Sequence, residues 1–322
     1  MSPAGAPLAA GSISLRIYPH ALAPVQIVEE LCRQAALADA AGFDGVMTSE
    51  HHGGFPGYLP SPLQAAGFLL EGMPRAWAAP APLLLPLRHW SHVAEELAWL
   101  ACRFPGRVGA GFASGGLARD FELAELAYAE RFERFRAALP RVVAALHGRA
   151  EPPLADDLAL AACAAQPIPL VAAAQSPAAV RRAARLGIGV LFDSLQTAER
   201  TRELSDAHRE AGGRGPCIAI RRVWLGVAPE ASVERQMSFY RGYAAPEAQR
   251  HWGEGRELVS GADGAELALR LADFAARAGC DALNLRVHLT GLEPARVREQ
   301  IERLGAETLP ALRQHLARPA AR

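Results

Sequence analysis

Short apolar runs alternate with longer segments of helical periodicity along almost the whole 322-residue chain. Alternation of this kind produces parallel strands joined by right-handed crossovers, with helices packed over the sheet. The sequence predicts strands at residues 12–18, 44–49, 81–85, 107–112, 168–174, 189–195, 217–227 and 282–287. Eight such units favour a single α/β domain closed into a (β/α)8 barrel of the TIM type. A doubly wound open sheet is the alternative architecture.

The same pattern defines the predicted organisation of the chain. Helices are predicted at residues 25–41, 62–71, 91–103, 128–146, 177–186, 198–211, 265–278 and 294–304. The sequence shows no composition break, so we expect one domain over residues 1–322, with residues 1–11 flexible. The connection after the seventh strand, residues 229–263, far exceeds the usual 2–6 residues of a βα loop and is predicted to be a mobile lid.

Composition excludes several classes of function. All 34 basic residues are arginines, which rules out lysine Schiff-base chemistry, a lysine-bound pyridoxal cofactor and a Walker P-loop. The formal net charge of +0 gives no field that would attract nucleic acid or a membrane surface. Five scattered cysteines without Cys-x-x-Cys spacing are typical of a reduced cytoplasmic protein. No signal peptide or membrane-spanning run is predicted, so we expect a soluble, cytoplasmic chain.

The most polar group of residues follows the second predicted strand. Glu50, His51 and His52 stand at its end, and a Gly/Pro-rich loop leads on to Tyr58. Reactive groups of βα barrels lie at the C-terminal ends of strands, and imidazoles titrate near neutral pH, so this cluster is a candidate active site. A purely structural hydrogen-bonding role is the alternative. Successive strand residues point to opposite faces, so no metal site is predicted here.

Two further strand ends offer candidate ligand contacts. His89 and Trp90 lie where the third strand leads into a helix. The glycine-rich run at residues 109–116 lacks the spacing of a dinucleotide fingerprint, which argues against Rossmann-type binding. Its small residues Ala113 and Ser114 would let a flat ligand lie close to the backbone.

The end of the fifth strand has the features of an anion site. Ser176 is a natural N-cap and Pro177 is a natural first helical residue, so free backbone N–H groups follow Ala174 and Gln175. Such N–H groups bind phosphate readily. A capped helix with no ligand is the alternative interpretation.

Six segments, in this order along nearly the whole chain, resemble the bacterial luciferase-like flavin-dependent monooxygenases. They are residues 42–52, 85–89, 94–96, 106–111, 174–177 and 281–287. The resemblance implies a barrel that uses reduced FMN (FMNH2), supplied by a separate NAD(P)H flavin reductase, together with O2. It implies a flavin C4a-peroxide that transfers one oxygen atom to a small organic substrate, and a homodimer formed through the helices after the second and third strands.

The resemblance also assigns roles to residues of this chain. His51 stands at the position of the catalytic base, and the flavin phosphate is expected against Gln175, Ser176 and Ala179. The other expected cofactor contacts are Glu50, His89, Ala113, Ser114 and Ala174. The expected substrate contacts are His52, Tyr58 and Trp90. Ser114 replaces an arginine that binds the phosphate in luciferase, and Arg119 is a candidate to supply that charge.

Two other functions remain open for this fold. Enzymes of the same fold transfer hydride with the deazaflavin F420 and need no oxygen, and some flavin-binding relatives have lost catalysis. The Glu-His-His sequence at residues 50–52 favours oxygen chemistry over hydride transfer.

Overall fold

The computed structural model describes residues 5–243, 249, 252 and 258–317. Its strands in chain order are β1 (Ile13–Arg16), β2 (Gly45–Thr48), β3 (Trp77–Pro80), β4 (Leu83–Leu84), β5 (Ala110–Ala113), β6 (Leu170–Ala173), β7 (Gly189–Phe192), β8 (Cys217–Leu225), β9 (Leu258–Gly261) and β10 (Ala282–Arg286).

The α-helices of the described residues cover the outside of this sheet. They are α1 (Pro24–Ala40), α2 (Pro62–Glu71), α3 (Trp90–Arg103), α4 (Ala118–Leu123), α5 (Arg131–Leu146), α6 (Leu158–Ala162), α7 (Pro177–Arg185), α8 (Ala198–Glu210), α9 (Glu230–Tyr243), α10 (Gly264–Ala278), α11 (Pro294–Arg303) and α12 (Leu309–Ala317). Across the part of the chain that is described, none of these helices combines the length and apolar character needed to cross a membrane.

The strands form a parallel, nearly closed barrel in the order β3-β2-β1-β10-β8-β7-β6-β5-β4. The ring is completed where β4 pairs with β5 and where Ala78 of β3 bridges to Val108. β3 and β4 therefore act as one interrupted strand, because Pro82 between them has no N–H to donate to the ladder. The predicted barrel is confirmed, and the third strand begins earlier than the sequence indicated.

The connection after β8 is more ordered than a single long loop. It contains α9 and then the short strand β9, which pairs in parallel with the C-terminal part of β8. Residues 244–248, 250–251 and 253–257 of the predicted lid lie outside the described residues. The lid therefore stays a prediction. The described part of this connection includes α9 and β9.

Burial on both faces of the strands explains the barrel. Outward side chains such as Ile13 and Leu15 are fully buried beneath the helices, as expected for strands covered on both sides. The lower interior is filled by a smaller apolar cluster that includes Met47, Trp77 and Leu191. Leu8 belongs to the same cluster and is only 1% exposed, while the flexibility of residues 1–11 stays a prediction.

A fold prediction concerns the inward face of β2. A Cβ atom on Gly45 would overlap the buried ring of Trp77, which has no open space to move into. We expect Gly45→Ala to lower the free energy of unfolding by about 1–3 kcal/mol, the usual cost of overpacking a core. Gly116→Ala is the control, because a Cβ atom there meets nothing within 4 Å. Urea unfolding of both variants makes the comparison; equal stabilities would contradict this packing.

Candidate active site

The loop after β2 folds back onto the strand end and so assembles the site. The amide of His51 donates to the Leu59 carbonyl (3.1 Å), and the Leu59 amide donates to the Ser49 carbonyl (3.4 Å). Gly53, Gly54 and other loop glycines take positive φ values, which permits the tight return. The result is that Tyr58 lies against His51, with ring centroids 4.5 Å apart.

Glu50 is a buried anchor. Its side chain is 0% exposed, and its Oε2 accepts the backbone N–H of Leu84 at 2.7 Å. Its Oε1 accepts from Arg88 (2.9 Å) and contacts His52 Nε2 (2.9 Å). Both oxygens are engaged by the chain itself, and the direct contact of Glu50 with the cofactor stays a prediction. The carboxylate positions the loop and His52.

His51 is held by a carboxylate that sequence reasoning missed. Its Nδ1 lies 2.7 Å from Asp120 Oδ2, and the other oxygen of Asp120 accepts the backbone N–H of His52 at 2.9 Å. Asp120 is 1% exposed, on the short helix α4. A carboxylate on Nδ1 fixes the ring orientation and leaves Nε2 for proton transfer, as in His-Asp pairs of hydrolases.

His52 points away from His51, toward an outer cavity. This cavity has a volume of about 450 Å³ and is lined by His52, Arg88, His89, His92 and Asp120, among others. The two histidine clusters of the sequence therefore meet here. The hydrogen bond to Glu50 raises the pKa of His52 above its usual value despite partial burial. No group of metal-ligating side chains occurs within residues 5–243, 249, 252 and 258–317.

Aromatic side chains close the mouth of the barrel beside His51. Tyr58 packs edge-on against Tyr18, with ring centroids 5.3 Å apart. Phe55 contacts Phe239 (5.4 Å) and Tyr243 (5.1 Å), both from α9. Burial among these phenols raises the pKa of Tyr58 well above its ordinary value. The predicted substrate residue Tyr58 therefore lies in this mouth as a neutral phenol, and α9 covers it.

The predicted phosphate turn has the expected local structure. Ser176 caps α7, its Oγ accepting the Ala179 N–H at 3.4 Å, and Ala174 is buried behind it. Gln175 bonds through its side chain to Gln196, at the end of the neighbouring βα unit. Ala113 lies beside this turn, because β5 and β6 are paired in register.

An arginine that the sequence did not single out stands at this turn. Arg200, in the first turn of α8, donates from NH2 to the Gln175 carbonyl at 3.1 Å. Arg119, the predicted substitute for the charge missing at Ser114, donates instead to the Gly53 carbonyl (2.8 Å) in the loop after β2. The role expected of Arg119 stays a prediction, and Arg200 contacts the residue that precedes Ser176.

Trp90 and His89, two other expected contact residues, lie at the start of α3. Trp90 packs beneath the guanidinium of Arg141 from α5, 4.2 Å from the ring centroid, and against the main core. Its ring therefore packs between helices, and the contact of Trp90 with the substrate stays a prediction. His89 lines the outer cavity and its Nδ1 bonds to Ser91 Oγ at 2.6 Å.

The chain is similar to known proteins over most of its length. It matches the family described as luciferase-like monooxygenase over residues 12–310. An F420-dependent glucose-6-phosphate dehydrogenase of Beutenbergia cavernae is 31% identical over 242 residues, covering 70% of this chain and 68% of that protein. The chain therefore belongs to the luciferase-like monooxygenase family and is an oxidoreductase of that family.

Solved structures share the fold at lower identity. A monooxygenase from Streptomyces bottropensis superposes with a TM-score of 0.74 at 20% identity, over 93% of this chain and 99% of that one. The oxygenating constituent of 3,6-diketocamphane monooxygenase from Pseudomonas putida, a Type II Baeyer-Villiger monooxygenase in complex with FMN, gives 0.75 at 16% identity, over 94% and 98%. These structural similarities support the barrel fold of the chain.

The His51–Asp120 pair generates a prediction about catalysis. His51→Ala should lower turnover about 10²- to 10⁴-fold, the usual effect of losing a general acid or base. Asp120→Asn should cause a smaller loss, because the ring keeps a neighbouring polar group but loses the carboxylate that orients it through Nδ1. His92→Ala is the control, since His92 is an exposed imidazole of the same cavity. Steady-state kinetics decide, and wild-type turnover in His51→Ala would remove His51 from the mechanism.

The position of α9 generates a prediction about the lid. Trypsin cleaves this chain only after arginine, and the predicted lid contains Arg241, Arg250 and Arg256. We expect the first cuts at these positions, and slower cutting when reduced flavin and substrate hold the lid closed. Timed digestion with mass spectrometry identifies the sites. First cuts elsewhere in the barrel, or cleavage rates that do not change when the ligands are added, would show that residues 229–263 are a packed insertion and not a lid.

Proposed function

We propose that this protein is the oxygenating component of a two-component monooxygenase. In this proposal a separate NAD(P)H flavin reductase supplies FMNH2, and one oxygen atom from O2 enters a small organic substrate. The observation that carries the proposal is the arrangement at His51: an imidazole oriented by a buried carboxylate and facing an aromatic mouth covered by α9. Oxygen activation on a flavin needs such a water-poor site, because water and stray proton donors destroy the reactive species.

The residues at the fifth βα turn fit a flavin phosphate. The serine N-cap, the N-terminus of α7 and the Arg200 guanidinium lie close together at Gln175 and Ser176. Helix N-terminal N–H groups and a nearby arginine are complementary to a phosphate dianion. When bound, reduced FMN supplies the electrons for oxygen activation. The chain's own part is to hold the phosphate, exclude water with Phe55, Tyr58 and α9, and move a proton at His51 Nε2.

A second function is F420-dependent hydride transfer. The observation that favours it is the 31% identity to an F420-dependent glucose-6-phosphate dehydrogenase. A serine-capped phosphate turn suits F420 as well, since that cofactor also carries a phosphate.

One experiment separates the two functions. The purified chain is mixed with FMNH2, isotopically labelled O2 and panels of ketones, aldehydes and aromatic compounds, and separately with F420 and glucose 6-phosphate under anaerobic conditions. Label in an organic product supports the monooxygenase. Reduction of F420 without any affinity for FMN would overturn it in favour of the dehydrogenase.

The phosphate turn gives a binding prediction. Ser176→Asp keeps an N-cap but places a negative charge beside the phosphate, so the Kd for FMN should rise about tenfold or more. Arg200→Met should raise it in the same direction. Riboflavin, which lacks the phosphate, is the control ligand and should bind almost unchanged. Fluorescence titration measures both ligands, and equal losses would place the phosphate elsewhere.

We also propose a homodimer, but through different residues of the helices that follow the second and third strands. Most apolar residues expected at its interface, such as Leu69 and Leu97, are buried in the chain's own core. Phe68 on α2 and Trp99 on α3 remain 46% and 56% exposed, on neighbouring helices. Light scattering at micromolar concentration should give a dimer, and Phe68→Glu combined with Trp99→Glu should give a monomer. A monomeric wild type would refute the proposal.

A further inference from the structure

A buried arginine lies in the barrel mouth, and the described part of the chain offers it no carboxylate partner. Arg286, at the end of β10, is 4% exposed and makes no ion pair with any described residue. Its Nε donates to the His288 carbonyl at 3.0 Å, and its NH1 donates to the hydroxyls of Tyr18 (3.2 Å) and Tyr240. Its guanidinium also stacks 3.9 Å from the Tyr18 ring centroid. Burying an ion is costly, and neutral hydroxyls offset only part of that cost.

The surroundings of Arg286 are electropositive. Burial raises the pKa of the Tyr18 phenol, yet Arg286 and Arg16 outweigh it and bring the pKa below its ordinary value. Burial together with Arg286 lowers the pKa of His288 well below its ordinary value, so that imidazole stays neutral. The positive charge of Arg286 inside a low-dielectric mouth contributes to both shifts, in addition to burial. A negatively charged group entering this mouth would be stabilised.

Arg16, a second arginine beside Tyr18, is bonded to the chain through each of its three nitrogens. Its Nε donates to Asn284 Oδ1 (2.6 Å), its NH1 donates to Ser49 and its NH2 donates to the Ala81 carbonyl (2.9 Å). Arg286 differs, because its NH2 has no hydrogen bond to a described residue and its NH1 is bonded to Tyr240 of the covering helix α9. The Tyr240 hydroxyl therefore occupies a position that a ligand oxygen can take.

We infer that Arg286 and Tyr18 form a subsite for an anionic oxygen group of the substrate, a carboxylate or a phosphate. Two N–H groups of Arg286 and the Tyr18 O–H, whose oxygen already accepts from Arg286, are the donors. The anion replaces the Tyr240 hydroxyl on NH1, so substrate binding and the position of α9 are coupled. The inference rests on the proposed function only in placing the substrate in this mouth.

The test uses matched ligands that differ in charge. Benzoate is compared with benzamide, and phenyl phosphate with phenol, by calorimetric titration of the purified chain near neutral pH. The charged member of at least one pair should bind about tenfold or more tightly, as expected for a charge-assisted bond to a buried arginine. The pair with the larger preference identifies the group as carboxylate or phosphate. The inference fails if neither charged ligand binds more tightly than its neutral partner.

Variants locate the effect. Arg286→Met should abolish the preference for charge, whereas Tyr240→Phe should tighten the charged ligand several-fold by removing its competitor. Arg221→Met is the matched control, because Arg221 is equally buried but stacks on Phe274, away from the mouth. Ser176→Asp, which acts at the cofactor turn, should also leave the preference intact.

The outcomes distinguish this inference from the proposed function. A folded Arg286→Met variant that keeps the charge preference overturns the subsite. If Arg286→Met does not fold, Tyr240→Phe decides, and an unchanged affinity for the charged ligand overturns it. FMN binding is measured on the same samples. A wild-type protein that does not bind FMN refutes the proposed function. The preference for charged ligands is then judged separately, from the ligand pairs and the variants.

Discussion

The geometry of the barrel mouth depends on one buried guanidinium. Arg16 extends from β1 into the barrel and bonds to Asn284 of β10 and to Ser49 and the Ala81 carbonyl, just beyond β2 and β3. An ion in this position is tolerated only when its N–H groups are satisfied, so the ends of these strands have to keep their relative heights. Asn284 in turn donates to Ser14 at 2.8 Å, which returns the network to β1.

That constraint fixes where the chemistry lies. Ser49 is held by Arg16, and the next three residues are Glu50, His51 and His52. The two histidines are adjacent in sequence, yet one reaches the mouth and the other an outer cavity, because Asp120 and Glu50 hold them in different directions. Identical side chains thus acquire different environments from their carboxylate partners. Only the histidine beside the aromatic mouth is placed to move a proton there.

The sequence predicted what depends on local pattern. The periodicity of the strands and helices predicted the barrel. The serine followed by a proline predicted that Ser176 caps α7. Asp120 was missed because its contact with His51 spans 69 residues, and nothing near it in the chain marks a partner. The packing of Trp90 under Arg141 was not predicted either, because an aromatic residue at a strand end has the same local sequence pattern whether it faces the mouth or packs under a helix.

Tyr240 of α9 links two sides of the mouth that differ in their polar groups. His51 with Asp120 lies on one side, and its ring contacts Tyr58, whose hydroxyl lies 3.5 Å from that of Tyr240. Tyr240 in turn bonds to Arg286 on the other side. A substrate anchored by a negative group at Arg286 would therefore extend toward His51, and it would displace a residue of the covering helix in doing so. A neutral molecule leaves the Tyr240 bond to Arg286 in place, so the mouth selects for charge through the helix that closes it.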